Sequence, residues 1–271
     1  MKTLASLKER YTEVKERIAH AAAKAGQDPR RVVLVAVTKT AEPDQIRDLI
    51  RLGHTDFGEN RVQQLIQRAL LIDEWMARHK TLPGVSWPAP RKGAKEGKQP
   101  SAAEIVRWHM IGHLQRNKAR KVVEVCRLIH SVDSLRLAEE LQQIAAKREK
   151  PVEVLLQVNC SGEKSKFGCA IAAAPHLAAQ IDTMIQVRLR GLMTMAPYSA
   201  NPEDSRDTFA RAKELFDEMS DDGLGGQHFN ILSMGMSGDY EVAIQEGANM
   251  VRVGTAIFGE GKPQDDIDEE D

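Results

Sequence analysis

Cysteine is scarce in this chain. Its three cysteines, Cys126, Cys160 and Cys169, form no Cys-x-x-Cys pair and no zinc-ligand spacing. That excludes a disulfide framework and fits a reducing compartment. Net charge is nearly absent too: 38 basic residues stand against 39 acidic ones. No global electrostatic case remains for nucleic acid or an anionic membrane. No uncharged stretch approaches the roughly 20 residues that span a bilayer. The N-terminal residues alternate charged and apolar side chains and lack the continuous apolar core of a signal peptide. A dinucleotide glycine fingerprint is also missing after the first apolar run. These absences predict a soluble, cytoplasmic protein with no nucleic-acid and no membrane partner.

What is present begins at Val32. Residues Val32 to Thr38 are apolar or β-branched without interruption, the pattern of a strand covered on both faces. The run ends in Lys39. At the C-terminal end of a parallel strand, where barrels and open sheets place their sites, that lysine can be a Schiff-base nucleophile. Taken alone, the segment is better read as a strand with a solvated lysine at its end.

The rest of the chain alternates. Residues 1–25 predict an amphipathic helix, with Leu4, Leu7, Tyr11, Val14, Ile18 and Ala21 on one stripe and Gly26 as its stop. Strands are expected near residues 34, 55, 108, 130, 155, 190, 231 and 251, with helices between them. Among these helices are Pro43 to Leu52, Arg61 to Arg78, Gln115 to Val125, Ile171 to Ile181 and Pro202 to Met219. Strict alternation implies a parallel sheet with right-handed crossovers. Eight units in 271 residues predict a single (β/α)8 TIM barrel, spanning 1–262, with the N-terminal helix as an extra. A doubly wound open sheet is the alternative. Residues 79–104, rich in Pro, Gly and Lys, read as a flexible insertion, and 263–271 as an acidic disordered tail.

In a barrel the strand ends converge on one mouth. They deliver Lys39, Glu59 and Asn60, then His109 and His113, and later Ser233 to Ser237 and Arg252 to Thr255. The segment Leu232-Ser-Met-Gly-Met-Ser-Gly-Asp239 carries two glycines and two hydroxyls ahead of a helix, a combination that suits an anion. Arg252-Val-Gly-Thr255 follows the eighth strand. Barrel enzymes frequently bind phosphate at the loops after strands seven and eight. Either loop alone reads equally well as a shaped turn; together they favour a phosphate. His109 and His113 lack a third ligand, so no metal is expected and hydrogen-bonding roles near the mouth are assigned instead. A lysine facing a phosphate cradle suits pyridoxal 5′-phosphate (PLP), which has an aldehyde at one end and a phosphate at the other.

The motifs AVTKT, FGENRVQ, WHMIGHLQRNK, HSVDS, QVNCSGEKSKFG, GLMTMAP, LSMGMSGDYEVAI and MVRVGTAIFG occur in this order. They resemble the pyridoxal phosphate homeostasis family, which is similar to the N-terminal barrel of alanine racemase and to the barrel of ornithine decarboxylase. The resemblance runs from about residue 5 to residue 260. It implies that Lys39 forms the Schiff base. It further implies that Ser237, Gly238, Gly254 and Thr255 cradle the phosphate, that Arg252 faces the pyridine nitrogen and that Asn60 lies beside the ring. His113 departs from the family pattern, where many relatives have proline. The resemblance implies PLP as cofactor and a role in vitamin B6 homeostasis, with possible delivery to apo PLP-dependent enzymes and no assured catalytic residue.

The alternative function is a PLP-dependent, racemase-like enzyme. A two-base racemase needs an acid/base group on each face of the ring. Alanine racemase takes its second from a β-rich domain for which this chain has no room after residue 260. The loss of that domain's dimer contacts predicts a monomer.

Overall fold

Ser6 starts the first helix. Its hydroxyl accepts the Glu9 N–H while the Glu9 carboxylate accepts the Ser6 N–H, a reciprocal cap. The helix α1 (Leu7–Lys24) buries Tyr11, Val14, Ile18, Ala21 and Ala22. This is the expected stripe within the residues that the structure, a computed structural model, describes: 6–78, 105–163 and 167–260. The chain leaves the helix at Gly26, whose φ of +69° suits glycine.

The elements then alternate. They run β1 (Val33–Val37), α2 (Pro43–Arg51), β2 (Asp56–Glu59), α3 (Val62–Arg78), β3 (Arg107–Met110), α4 (Ala119–Val125) and β4 (Cys126–Val132). There follow α5 (Leu135–Arg148), β5 (Val152–Asn159), β6 (Cys169–Ala170), α6 (Ala174–Asp182), β7 (Val187–Met193) and α7 (Arg206–Asp221). The series ends with β8 (Ile231–Ser233), α8 (Tyr240–Gln245), β9 (Met250–Val253) and α9 (Thr255–Phe258). All strand pairings are parallel. The order β4-β3-β2-β1-β9-β8-β7-β5 closes on itself because β4 also pairs with β5. The eight expected strands form this closed barrel, and an open sheet is ruled out. The strand β6 is additional: two residues that pair with Val158 and Asn159 at the end of β5.

Three expected helices begin later than the sequence pattern suggested. Their first turns, Arg116–Lys118, Ile171–Ala173 and Pro202–Ser205, are 3-10 helices. Tighter winding is frequent at helix N-termini, where the first N–H groups have no partner within the helix. The predicted insertion at 79–104 and tail at 263–271 lie outside the described residues.

Two apolar sets hold the barrel. The larger lies between strands and helices and includes Ala36, Phe57, Trp108, Met110, Leu156 and Val251. The smaller consists of Val35, Leu128, Leu155, Met193 and Met250. Val35 and Ala36 are neighbours in β1 yet belong to different sets, as the alternation of a strand requires. The smaller set therefore faces inward. The same alternation turns Asp56, His109, His130, Ser233 and Arg252 inward, and all five are buried. Gly191 permits the close contact of β7 with β8: at its φ of +142° a Cβ would lie 1.9 Å from the Ile231 carbonyl oxygen.

Candidate cofactor site at the barrel mouth

Lys39 directly follows Thr38, one residue past the end of β1, and is exposed. The turn that carries it is gripped on both sides. The Thr38 N–H donates to the Gly58 carbonyl at 2.9 Å, and its hydroxyl donates to the Glu59 carboxylate. On the far side, Ala41 N–H closes the turn onto the Thr38 carbonyl at 2.8 Å. Arg68 from α3 pairs with Glu59 and donates to the Ala41 carbonyl at 3.0 Å. Glu59 is fully buried and Arg68 nearly so. A buried ion pair with auxiliary hydrogen bonds fixes geometry strongly. Here it fixes the backbone on either side of the lysine.

Asn60 follows β2 and is exposed. Its backbone leans on Gly112 in the loop after β3. A Cβ on residue 112 would stand 2.1 Å from the Asn60 carbonyl oxygen, so only glycine fits without moving Asn60.

The two loops after β8 and β9 are joined by Ser237. Its hydroxyl accepts the N–H of Gly254 at 3.1 Å and of Ala256 at 3.4 Å. Gly235 turns the first loop with φ +89°, pressed within 2.8 Å (would-be Cβ to Cα) of Tyr240. The Asp239 carboxylate accepts the Met236 N–H at 2.6 Å and the Ser205 hydroxyl at 3.2 Å, holding the loop closed. Gly238 and Thr255 are exposed, and among the described residues none beyond Gly238 and its chain neighbours comes within 4 Å of where a Gly238 Cβ would be. Gly254 abuts β1: its Cβ would be 3.2 Å from the Val37 carbonyl, two residues before Lys39. The helices that follow these loops have only six and four residues. What the loops offer an anion is therefore N–H groups more than a helix dipole.

Arg252 is buried, and its guanidinium crosses the barrel interior. It donates to the Ser233 hydroxyl at 2.7 Å and to the Thr194 carbonyl at 2.9 Å. Among the described residues no carboxylate forms an ion pair with it. Burial draws its pKa down to about 10 against a raising pull from Asp239, so it stays cationic at neutral pH.

The histidines differ from expectation. His109 is not at the mouth. It lies inside the barrel, bonded to His130 at 3.0 Å and to Asp56 at 3.1 Å. His113 does sit by the mouth, where it stacks on Phe167 with ring centroids 4.8 Å apart and stands 3.9 Å from Asp133. Among the described residues no His, Cys, Asp and Glu cluster is arranged to hold a metal.

The site residues fit PLP on two observations. Among the described residues Arg252 is a buried cation without an ion-pair partner, and two of the five N–H donors of a guanidinium are used. The Ser237–Gly254 link leaves open space at Gly238 beside a strand end that carries an exposed lysine. Sequence reasoning missed Thr38 and Arg68 as the grip on Lys39, and missed Asp56 and His130 altogether. The available signal was a polar residue at an inward position of a buried strand, as His130 is in Cys126–Val132.

Comparison with known proteins identifies the family. The family model described as alanine racemase, N-terminal domain, matches residues 10–262. A protein of Pseudomonas aeruginosa called pyridoxal phosphate homeostasis protein is 37% identical over 257 residues, covering 94% of this chain and 96% of its own length. The solved structure of PipY from Synechococcus elongatus, with PLP bound, is 34% identical with a TM-score of 0.68, covering 89% of this chain and 100% of that one. An alanine racemase of Clostridium difficile shares the fold at 13% identity and a TM-score of 0.64, over 96% of this chain and 58% of that one. The chain belongs to the pyridoxal phosphate homeostasis protein family, built on the alanine racemase N-terminal barrel.

Proposed function

We propose that this protein binds PLP at the barrel mouth and serves intracellular vitamin B6 homeostasis, holding the cofactor and delivering it to apo PLP-dependent enzymes. The observation that carries the reading is Arg252: a buried cation with no ion-pair partner among the described residues, whose two hydrogen bonds leave donors for a ring nitrogen. Lys39 holds the aldehyde carbon as a Schiff base, on a turn fixed by Thr38, Glu59 and Arg68. Ser237, Gly238, Gly254 and Thr255 receive the phosphate, and Asn60 flanks the ring. When bound, PLP supplies an electrophilic carbon and an electron-withdrawing ring. A cation facing the ring nitrogen disfavours its protonation and so weakens that electron sink. This suits retention of the cofactor better than turnover.

Two of the three tyrosines support the same reading; the third, Tyr198 in the loop after β7, is exposed. Tyr11 is buried with its hydroxyl on His54, and Tyr240 is buried under Arg17 of α1. Burial pushes the pKa of each up to about 12. Neither is a ready second base. The three cysteines are free, which accords with a cytoplasmic location. Among the described residues no helix is long and apolar enough to cross a membrane. We expect a monomer.

The test is an absorbance spectrum of the purified protein after incubation with PLP. A visible band that borohydride traps, and that Lys39→Ala lacks, is the expected result, followed by transfer of PLP to an apo-enzyme. A wild-type protein that takes up no PLP overturns the reading.

A further inference from the structure

The barrel interior contains an unbroken polar chain. Arg252 Nη1 donates to the Ser233 hydroxyl at 2.7 Å. Ser233 Oγ lies 3.1 Å from His130 Nδ1, His130 Nε2 lies 3.0 Å from His109 Nδ1, and His109 Nε2 lies 3.1 Å from Asp56 Oδ1. Asp56 is also paired with Arg107 and lines a cleft of about 460 Å³ at the strands' N-terminal ends, the barrel's opposite face. Five residues on five strands thus join the mouth to the floor.

The direction of this chain follows from counting protons. Ser233 has two partners, Arg252 and His130. A guanidinium cannot accept, and among the described residues the serine O–H has no other acceptor, so its proton is assigned to His130 Nδ1. His130 then carries its proton on Nε2 and donates to His109 Nδ1. His109 in turn carries its proton on Nε2 and donates to Asp56. In this arrangement each ring donates from Nε2, and every bond points from Arg252 to the carboxylate. Two further facts agree. Burial, with the Arg252 guanidinium close by, holds His130 well below the ordinary histidine range. Burial opposes a charge on Asp56, but its bonds to His109 and Arg107 outweigh it and keep the carboxyl ionised.

Resting on the PLP reading above, we propose that Asp56, His109, His130 and Ser233 are positioning residues: a one-way hydrogen-bond chain that fixes Arg252 as an oriented donor at the cofactor's ring nitrogen. The chain ends at the floor of the barrel on the Asp56 carboxylate, which Arg107 also pairs. Among the described residues no carboxylate pairs with the guanidinium, so none competes for the donors that face the ring. The Thr194 carbonyl supplies the second bond that sets the plane of the guanidinium.

Nitrogen NMR of the histidines in cofactor-free wild-type protein at neutral pH tests the polarity directly. The expected result is the neutral Nε2–H tautomer at both His109 and His130. An imidazolium or an Nδ1–H tautomer at either overturns the proposal, and no variant has to fold for that result. Ser233→Ala and Ser233→Thr then test the link to Arg252. In cofactor-free protein the Arg252 guanidinium protons should exchange at least tenfold faster in the alanine variant and return to the wild-type rate in the threonine variant; equal exchange in all three overturns the link. With PLP added, Ser233→Ala should bind roughly ten- to a hundredfold more weakly, the scale of a lost hydrogen bond to a charged group, with a shifted absorbance band that threonine restores. Unchanged affinity and band in Ser233→Ala overturn the positioning role. Absence of PLP uptake by wild type overturns the cofactor reading alone, since the tautomers and the exchange rates are read without PLP.

Discussion

The Ser237 hydroxyl accepts the backbone N–H of Gly254 at 3.1 Å, so two loops that follow different strands are tied into one cradle. The same hydroxyl also receives the Ala256 N–H. Replacing Ser237 with Ala removes the shared acceptor. A hydrogen bond of this kind is worth about 1 kcal/mol net, so PLP affinity should fall about fivefold and the melting midpoint by roughly 2–4 °C. Fluorescence titration and calorimetry check the two values.

Glu59 and Arg68 form a buried ion pair under the Lys39 turn. Removing one partner of such a pair costs about 3–5 kcal/mol, because the other charge stays buried and unpaired. Arg68→Met should lose about that much stability, and Arg68→Met with Glu59→Gln should recover a large part of it. Urea unfolding of both singles and the double completes the cycle. Equal losses for Arg68→Met and the double variant would refute the pairing.

Gly112 leaves no room for a side chain beside Asn60. Gly112→Ala forces the Asn60 backbone away from its position, at roughly 1–3 kcal/mol by analogy with overpacking. Stability should fall by that amount. PLP affinity should fall with it, because Asn60 flanks the ring, while inorganic phosphate affinity should hold. Isothermal titration with each ligand separates the two effects.

His54 commits both ring nitrogens in its neutral form. Tyr11 O–H donates to Nδ1 at 3.3 Å, and Nε2–H donates to the Asp56 carbonyl at 2.8 Å. Burial lowers its pKa to about 4, whereas the unfolded chain titrates near ~6.5. Between these values the unfolded state binds more protons, so stability falls as pH falls. The contribution is complete above about 6.5 and is lost toward about 4. Roughly 2 kcal/mol should disappear between pH 7 and pH 5. Urea unfolding at both values measures it, and His54→Gln should flatten the difference.

Most of the barrel was legible because buried strands and amphipathic helices alternate in the sequence with little noise. The mouth was legible where a strand ends abruptly in a polar residue, as at Lys39, or where glycine and serine cluster ahead of a helix, as at Ser237. The inner chain was not. His109 and Asp56 meet only after β2 and β3 pair, and the register of β3 with β4 shifts at Trp108/His109. A shift of that kind has no trace in hydrophobic periodicity. Arg68 was hidden for another reason. It sits on the buried stripe of α3, between Leu65 and Ile72, but periodicity marks a face and not the partner that a charge on it will find, and Glu59 comes from another element.

The polar interior also has a genetic consequence. Arg252, Ser233, His130, His109 and Asp56 each satisfy the next, so the first substitution along the line leaves a neighbour buried without its partner. Further substitutions then remove groups that have already lost theirs. Groups in one hydrogen-bond network couple rather than add. The five positions should therefore drift together or stay fixed together, as a single epistatic unit spread over 197 residues of sequence, from 56 to 252.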